Sequence, residues 1–205
     1  MNLVCVRGRQ REYEDPASRK RYWSVSEVLH VLDPNAFVGV DPAVMEAAQE
    51  RGTDLHNIFA LVLLSLRGIG QRPERPAGIL GGHFDAMMKF AKERKPVPEA
   101  VEEAGVNPRE GYAGRPDTRC WLDGFSGDLW TLDLKSGDER PVHAAQLVGG
   151  YKRLEGYEKC VRFASLYTRK TGDYRFVEHT HDHLSTSWFK AGLAVLNGRI
   201  YHKVK

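Results

Sequence analysis

The sequence predicts an α/β fold in one domain, a mixed β-sheet flanked by helices, and three observations carry that expectation. Segments with helical spacing and marked ends dominate up to about residue 95. From Val97 the apolar residues recur at every second position, the period of half-buried strands. One further helical segment interrupts those strands and another closes the chain, so helices are available to cover both faces of a sheet. The 205 residues suffice for one domain with a sizeable core, and 41% hydrophobic with 28% charged residues is an ordinary globular balance. The expected division is an N-terminal helical part over about 1–95 and a sheet core over about 96–205.

The start reads as strand material: LVCV, then REYEDPASRKRYWS, where DPAS marks a turn between two short strands. Ser24 heads SVSEVLHVL with Glu27 three residues on, the pattern of a capping box. Asp41 and Pro42 repeat the logic as N-cap and first helical residue, and open a long helix to about Arg67. Gly and Pro in GIGQRPERPAG, 68–78, break helix on both sides. A third helix covers about Ile79–Arg94, with Phe84, Met87, Met88 and Ala91 spaced for the core. VEEAGV, YAGRPDTRCWL, LWTLDLK, CVRFASLYTR and DYRFVEH read as strands, the second and third joined by the turn DGFSGD. The interrupting helix is expected over about His143–Gly156 and the last over about Asp182–Asn197.

A net charge of +3 is too small to argue by itself for a polyanionic partner. Three widely spaced cysteines, Cys5, Cys120 and Cys160, form no CxxC pair and read as reduced thiols. The apolar part of MNLVCVRGRQR is short for a signal peptide, and IFALVLLSL at 58–66 is too short to span a bilayer. A cytoplasmic protein without a membrane partner is the expectation.

The unusual chemistry lies in LDLK. Side chains alternate along a strand, so Asp133 and Lys135 share a face where a core strand would carry leucine or valine. Unpartnered, the two charges would cost several kcal/mol to bury, about 2–7 for a polar group and more for an ion, so they must meet water, each other or a ligand. A turn centred between Phe125 and Ser126 sets Asp133 opposite Thr118. A one-residue shift, or a bend at Pro116, would bring Asp133 to Asp117, and the register stays open. Two adjoining carboxylates repel, and a hard divalent cation such as magnesium or manganese resolves the repulsion. Lys135 could then orient or deprotonate a water beside a metal-bound phosphate. The plain alternative is an Asp–Lys salt bridge at a sheet edge.

GYAGRPD, a hairpin, LDLKSG and a helix opening HAAQLVGGY, preceded by SVSEVL at 24–29 and RGTDLH at 51–56, together resemble the PD-(D/E)xK nuclease superfamily. Within it the chain is most similar to the RecB-like and Cas4-like branch, which includes phage and mitochondrial genome-maintenance exonucleases. The resemblance covers about residues 20–155. It implies a restriction-endonuclease-like core and a deoxyribonuclease dependent on Mg2+ or Mn2+, acting as an exonuclease on DNA ends in recombination or repair. An endonuclease, a Cas4-like processing enzyme and a catalytically silent DNA-binding fold are the alternatives. His56, Asp117, Asp133 and the carbonyl of Leu134 would hold the metal, with Asp117, Asp133, Lys135 and Gln146 catalytic. Glu103 matches the acidic residue before the hairpin, with Glu102 and Glu99 as rivals. Arg51, Arg115 and Tyr151 would contact nucleic acid. Tyr151 stands five residues after Gln146 where the family has four, and a regular α-helix would turn it away. Gly149 and Gly150 between them would let the helix approach sheet or DNA. The iron–sulfur cluster of Cas4-like members needs four cysteines, so none is expected. DNA is the implied partner, with homo-oligomerisation or a recombination protein as further associations.

Two features compete with simpler explanations. His179, His181 and His183 alternate as metal ligands could, although a strand end running into a capped helix explains them more simply. The basic residues Arg7, Arg9, Arg11, Arg19, Lys20 and Arg21, and those of RPERP, could grip phosphates or form a solvated face. Tyr22 and Trp23 could stack on bases or pack against the sheet.

Overall fold

In a computed structural model, which describes residues 4–7, 11–34, 38–124, 127–180 and 183–203, the chain forms two five-stranded mixed sheets flanked by helices. Side chains are described for 12–34, 38–124, 127–180 and 183–198. The first sheet contains β1 (Val4–Arg7), β2 (Arg11–Glu14), β3 (Arg21–Ser24), β5 (Gly105–Asn107) and β6 (Tyr112–Gly114), in the order β1-β2-β3-β6-β5. The second contains β4 (Val97–Val101), β7 (Thr118–Trp121), β8 (Leu129–Lys135), β9 (Cys160–Thr168) and β10 (Tyr174–Glu178), in the order β10-β9-β8-β7-β4. Only β3 with β6 and β8 with β9 run parallel among these pairs.

The single central sheet expected from the pattern is therefore two sheets, and two residues account for the split. Pro116, which has no N–H to donate, separates β6 from β7 within YAGRPDTRCWL, and the chain changes sheet there. Glu102, at φ +53°, ends β4 within VEEAGV and redirects the chain to β5. The strands expected at the start are β1–β3, and they join the later β6 in the first sheet.

The helices begin where their caps say. Ser24 Oγ accepts from the Glu27 N–H at 3.0 Å to open α1 (Val25–Leu32). Asp41 Oδ1 accepts from the Ala43 N–H at 2.8 Å, and Pro42 opens α2 (Pro42–Leu66). Gly78 precedes α3 (Ile79–Arg94), which Lys95 ends in a left-handed conformation. The helix expected over His143–Gly156 is three pieces: α4 (Pro141–Ala144), a π-helical turn (Ala145–Gly150) and a 3-10 turn (Tyr151–Arg153). The last helix is α5 (His183–Lys203); Asp182, its expected N-cap, lies outside the described residues. No described helix is long and apolar enough to cross a membrane.

Alternation along β8 divides the core. Leu132 and Leu134 pack with Leu55, Phe59 and Leu63 of α2 and Met87 and Phe90 of α3. On the other face, Leu129 joins Leu147, Tyr151, Phe163, Phe189 and Leu193. Fully burying each leucine or phenylalanine contributes about 1.5–3 kcal/mol. Asp133 belongs by alternation to this second face, under the π-helical turn. Gly149 lets the turn approach α5, where a Cβ would fall 2.5 Å from Phe189 Cβ and 2.9 Å from Ser185 O, and Gly150 lies against Phe189 and Val25.

Candidate active site

Thr118 pairs with Leu132 across β7 and β8, and the same register carries Asp117 opposite Asp133. This is the one-residue shift left open above; Phe125 and Ser126, at the tip of the turn, lie outside the described residues. Asp117 and Asp133 are 4% and 3% exposed, so two carboxylates adjoin in near-complete burial. From α2, His56 sets Nδ1 2.6 Å from Asp117 Oδ1. Leu134 donates its backbone N–H to Asp117 Oδ2. Lys135 Nζ forms an ion pair with Asp133 and donates to Gln146 Oε1 at 2.7 Å. Gln146 Nε2 in turn donates to the Tyr151 hydroxyl at 2.7 Å and lies 3.5 Å from Asp133 Oδ1. Tyr151, which a regular helix would rotate away, is brought in by the π-helical turn, and it meets Gln146 while both line the cleft.

These groups line a cleft of about 420 Å3, which Arg115 and Glu102 share. Glu102 receives Arg115 Nε at 2.9 Å on its carboxylate and donates its own N–H to the Asp117 carbonyl at 2.9 Å. One ligand atom from each of His56, Glu102 and Asp117 lies within 4.8 Å of the other two. Glu103 does not line the cleft; its carboxylate binds Arg119 at 2.7 Å and its carbonyl accepts from the Tyr157 hydroxyl at 2.8 Å. Glu99 lies 3.2 Å from the same Arg119. The left-handed turn at Glu102 breaks strand alternation and puts that residue, rather than its neighbour, in the cleft. Arg51 lines a separate pocket.

The electrostatics are those of crowded acids. Burial raises the Glu102 carboxyl, and the Asp117 charge and hydrogen bond add to it against Arg115, to about 8. Burial also raises Asp133; Lys135 opposes this and Asp117 reinforces it. Burial would raise Asp117 too, but the His56 charge and hydrogen bond and the Leu134 N–H outweigh it, and the carboxyl is held low. Burial would lower His56, yet Asp117, through charge and hydrogen bond, and then Asp133 push it up to about 9. Thus the Glu102 and Asp133 carboxyls are pushed up while Asp117, beside the His56 imidazole, is held low. That donor set suits a hard divalent cation, which would relieve the repulsion between carboxylates.

The other expected features fall elsewhere. His179 Nε2 bonds Ser165 Oγ at 2.9 Å, His183 opens α5, and His181 lies outside the described residues. Trp23 and Tyr22 are buried, and Trp23 Nε1 donates to Asn197 Oδ1 at 3.1 Å, so both pack rather than present stacking faces. Arg19 and Arg21 pair with Glu14 and Glu12, and Arg75 of RPERP makes a two-pronged bond to Asp85. Arg9 lies outside the described residues, as do the side chains of Arg7 and Arg11. Tyr13, on β2, lines the cleft and carries no sequence signal for doing so. No protein-family model matches this chain, and no curated protein matches it.

Proposed function

We propose that the protein is a DNA nuclease dependent on magnesium or manganese, of the PD-(D/E)xK kind with a restriction-endonuclease-like core, acting as an exonuclease at DNA ends in recombination or repair. The observation that carries this reading is the meeting of Asp117, Asp133, His56 and Lys135 in one cleft. His56, Asp117 and Asp133, with Glu102 beside them, would hold the ion. Bound there, it supplies Lewis acidity, which acidifies a coordinated water and offsets charge on the phosphate.

The chain's own groups do the rest. Asp117 is steadied by His56 and the Leu134 N–H, so its carboxylate is pre-aimed before substrate arrives. Lys135, fixed by Gln146 and Asp133, brings a positive charge to the phosphoryl oxygens as negative charge grows on them. Gln146 keeps its orientation through Tyr151. Arg115 can exchange Glu102 for a backbone phosphate. The net reaction adds water across one P–O3′ bond: the water oxygen joins phosphorus and the 3′ oxygen leaves with a proton.

The test uses end-labelled linear DNA and a covalently closed circle with Mg2+, Mn2+ or chelator. Linear DNA shortened only with metal, the circle intact, and cleavage abolished but binding retained in Asp133→Asn and Lys135→Ala is the expected result. A cut circle would mean an endonuclease. Wild type inert in both metals refutes catalysis.

A further inference from the structure

Past the end of β8 lies a second pocket, of about 500 Å3. We propose that this pocket is an anion site that takes a further phosphate of the nucleic-acid strand held in the first cleft. The source of the phosphate rests on the nuclease reading, whereas the pocket's affinity for anions does not.

Placement comes first. Ser136 and Gly137, directly after Lys135, line this pocket, and so does Arg51, five residues before His56 on α2. Five residues of helix rise about 7.5 Å. Five residues also turn a helix by about 140°, so Arg51 faces a different side of α2 from His56 and serves the neighbouring pocket.

Charge comes second. Arg51, Arg169, Lys170 and Arg175 line the pocket against Asp138 and Glu139. Arg175 is already satisfied by Glu139 at 2.7 Å. Among the described residues Arg51, Arg169 and Lys170 form no salt bridge, although Arg19, Arg75, Lys89 and Arg162 elsewhere on the surface all do. Three free cations around one remaining carboxylate make a positive cavity beside the acidic cleft.

The pocket is also built rather than incidental. Two buried polar side chains, His83 at 4% and Thr168 at 2% exposure, line its wall and bond each other at 2.9 Å. The loop carrying Arg169 and Lys170 is pressed onto α3 at Gly82, where a Cβ would fall 1.9 Å from the Lys170 carbonyl oxygen. Only glycine permits that approach, so the loop backbone that presents these cations is fixed against a helix.

The experiment measures fluorescence anisotropy of a short single-stranded oligonucleotide with the full chain in chelator, so that nothing is cut, across a salt series. The oligonucleotide is used with a 5′ phosphate and with a 5′ hydroxyl, and wild type is compared with R51Q/K170Q. Loss of the one phosphate contact that the pocket makes lowers the slope of log affinity against log salt by about 0.7, the share of one phosphate on a single strand. A fall confined to the phosphorylated strand identifies a terminal phosphate; an equal fall for both identifies an internal phosphodiester. An unchanged slope with both overturns the proposal. If the double variant melts early, Lys170→Gln alone, on the exposed loop, is read by a smaller fall in the slope, below about 0.7. Wild type that binds through these residues yet never cleaves DNA refutes the nuclease reading and leaves the anion site. Normal cleavage with an unchanged slope does the reverse.

Discussion

Gln146 Nε2 donates to the phenol oxygen of Tyr151 at 2.7 Å, although five residues separate the two. At about 3.6 residues per turn, an α-helix would set them roughly 140° apart. The π-helical turn closes instead with the Tyr151 N–H on the Gln146 carbonyl, a five-residue loop that returns both side chains to one face. Tyr151→Phe leaves the buried Gln146 amide short of an acceptor, a loss of about 1 kcal/mol. For a chain of this size that lowers the melting temperature by roughly 2–4 °C. It also loosens the Gln146 amide whose Oε1 accepts from Lys135 Nζ, so turnover is expected to fall more than substrate affinity. A calorimetric scan and a kcat-versus-KM comparison check both.

That contact shows where sequence patterns stop. The starts of α1 and α2 are legible because Ser24, Asp41 and Pro42 carry capping chemistry locally. Alternation in LWTLDLK correctly puts Leu132 and Leu134 on one face, because period two is a property of the chain alone. The meeting of Asp117 with Asp133 is different, since the register of a hairpin depends on how its turn closes and a one-residue slip moves every pair. The choice between Glu102 and Glu103 hangs on one left-handed residue that is not glycine, which no pattern announces. The division into two sheets turns on how far the chain travels after Pro116, a matter of tertiary packing.

Manganese should stabilise the wild type and not Asp117→Asn. An ion present at about 100 times its Kd adds about 2.7 kcal/mol to the folded state. At roughly 2–4 °C per kcal/mol, the melting temperature rises by about 5–10 °C. Replacing Asp117 by asparagine removes a charged ligand and leaves one acceptor oxygen where His56 and the Leu134 N–H now have two, so the shift between chelator and manganese should vanish. A wild type that melts at the same temperature in both would show that the carboxylates trap no ion.

Two glycines should respond in opposite directions to alanine. At Gly149 the added methyl meets Phe189 Cβ at 2.5 Å and the fixed carbonyl of Ser185 at 2.9 Å. Overpacking of that kind costs about 1–3 kcal/mol and would spread the π-helical turn from α5. At Gly198, on α5, nothing lies within 4 Å, and alanine there should stabilise by about 0.5–1 kcal/mol through helix propensity. Urea unfolding of both variants decides; a neutral Gly149→Ala would mean that the turn and α5 are not tightly packed.

Stability should decline on mild acidification through His143. Its Nδ1 lies 2.6 Å from the Tyr167 hydroxyl. Burial first, then the positive charges of Lys135, Arg140 and His179, push this imidazole down to about 3 from an ordinary value near 6.5. Between those limits the unfolded chain takes up a proton that the folded chain refuses, so stability is complete above about pH 6.5 and falls as pH drops toward 3. Burial lowers His83 and His179 as well, and they add slope of the same sign. Burial raises Glu102 and Asp133, which contribute slope of the opposite sign, so the comparison must be between variants rather than absolute. Gln at position 143 can still accept from Tyr167 but binds no proton. Urea midpoints at pH 7.5 and 5 should therefore drop further for wild type than for His143→Gln, by up to one proton's share of the pH slope. Equal drops would mean that His143 is protonated in the folded protein and faces water.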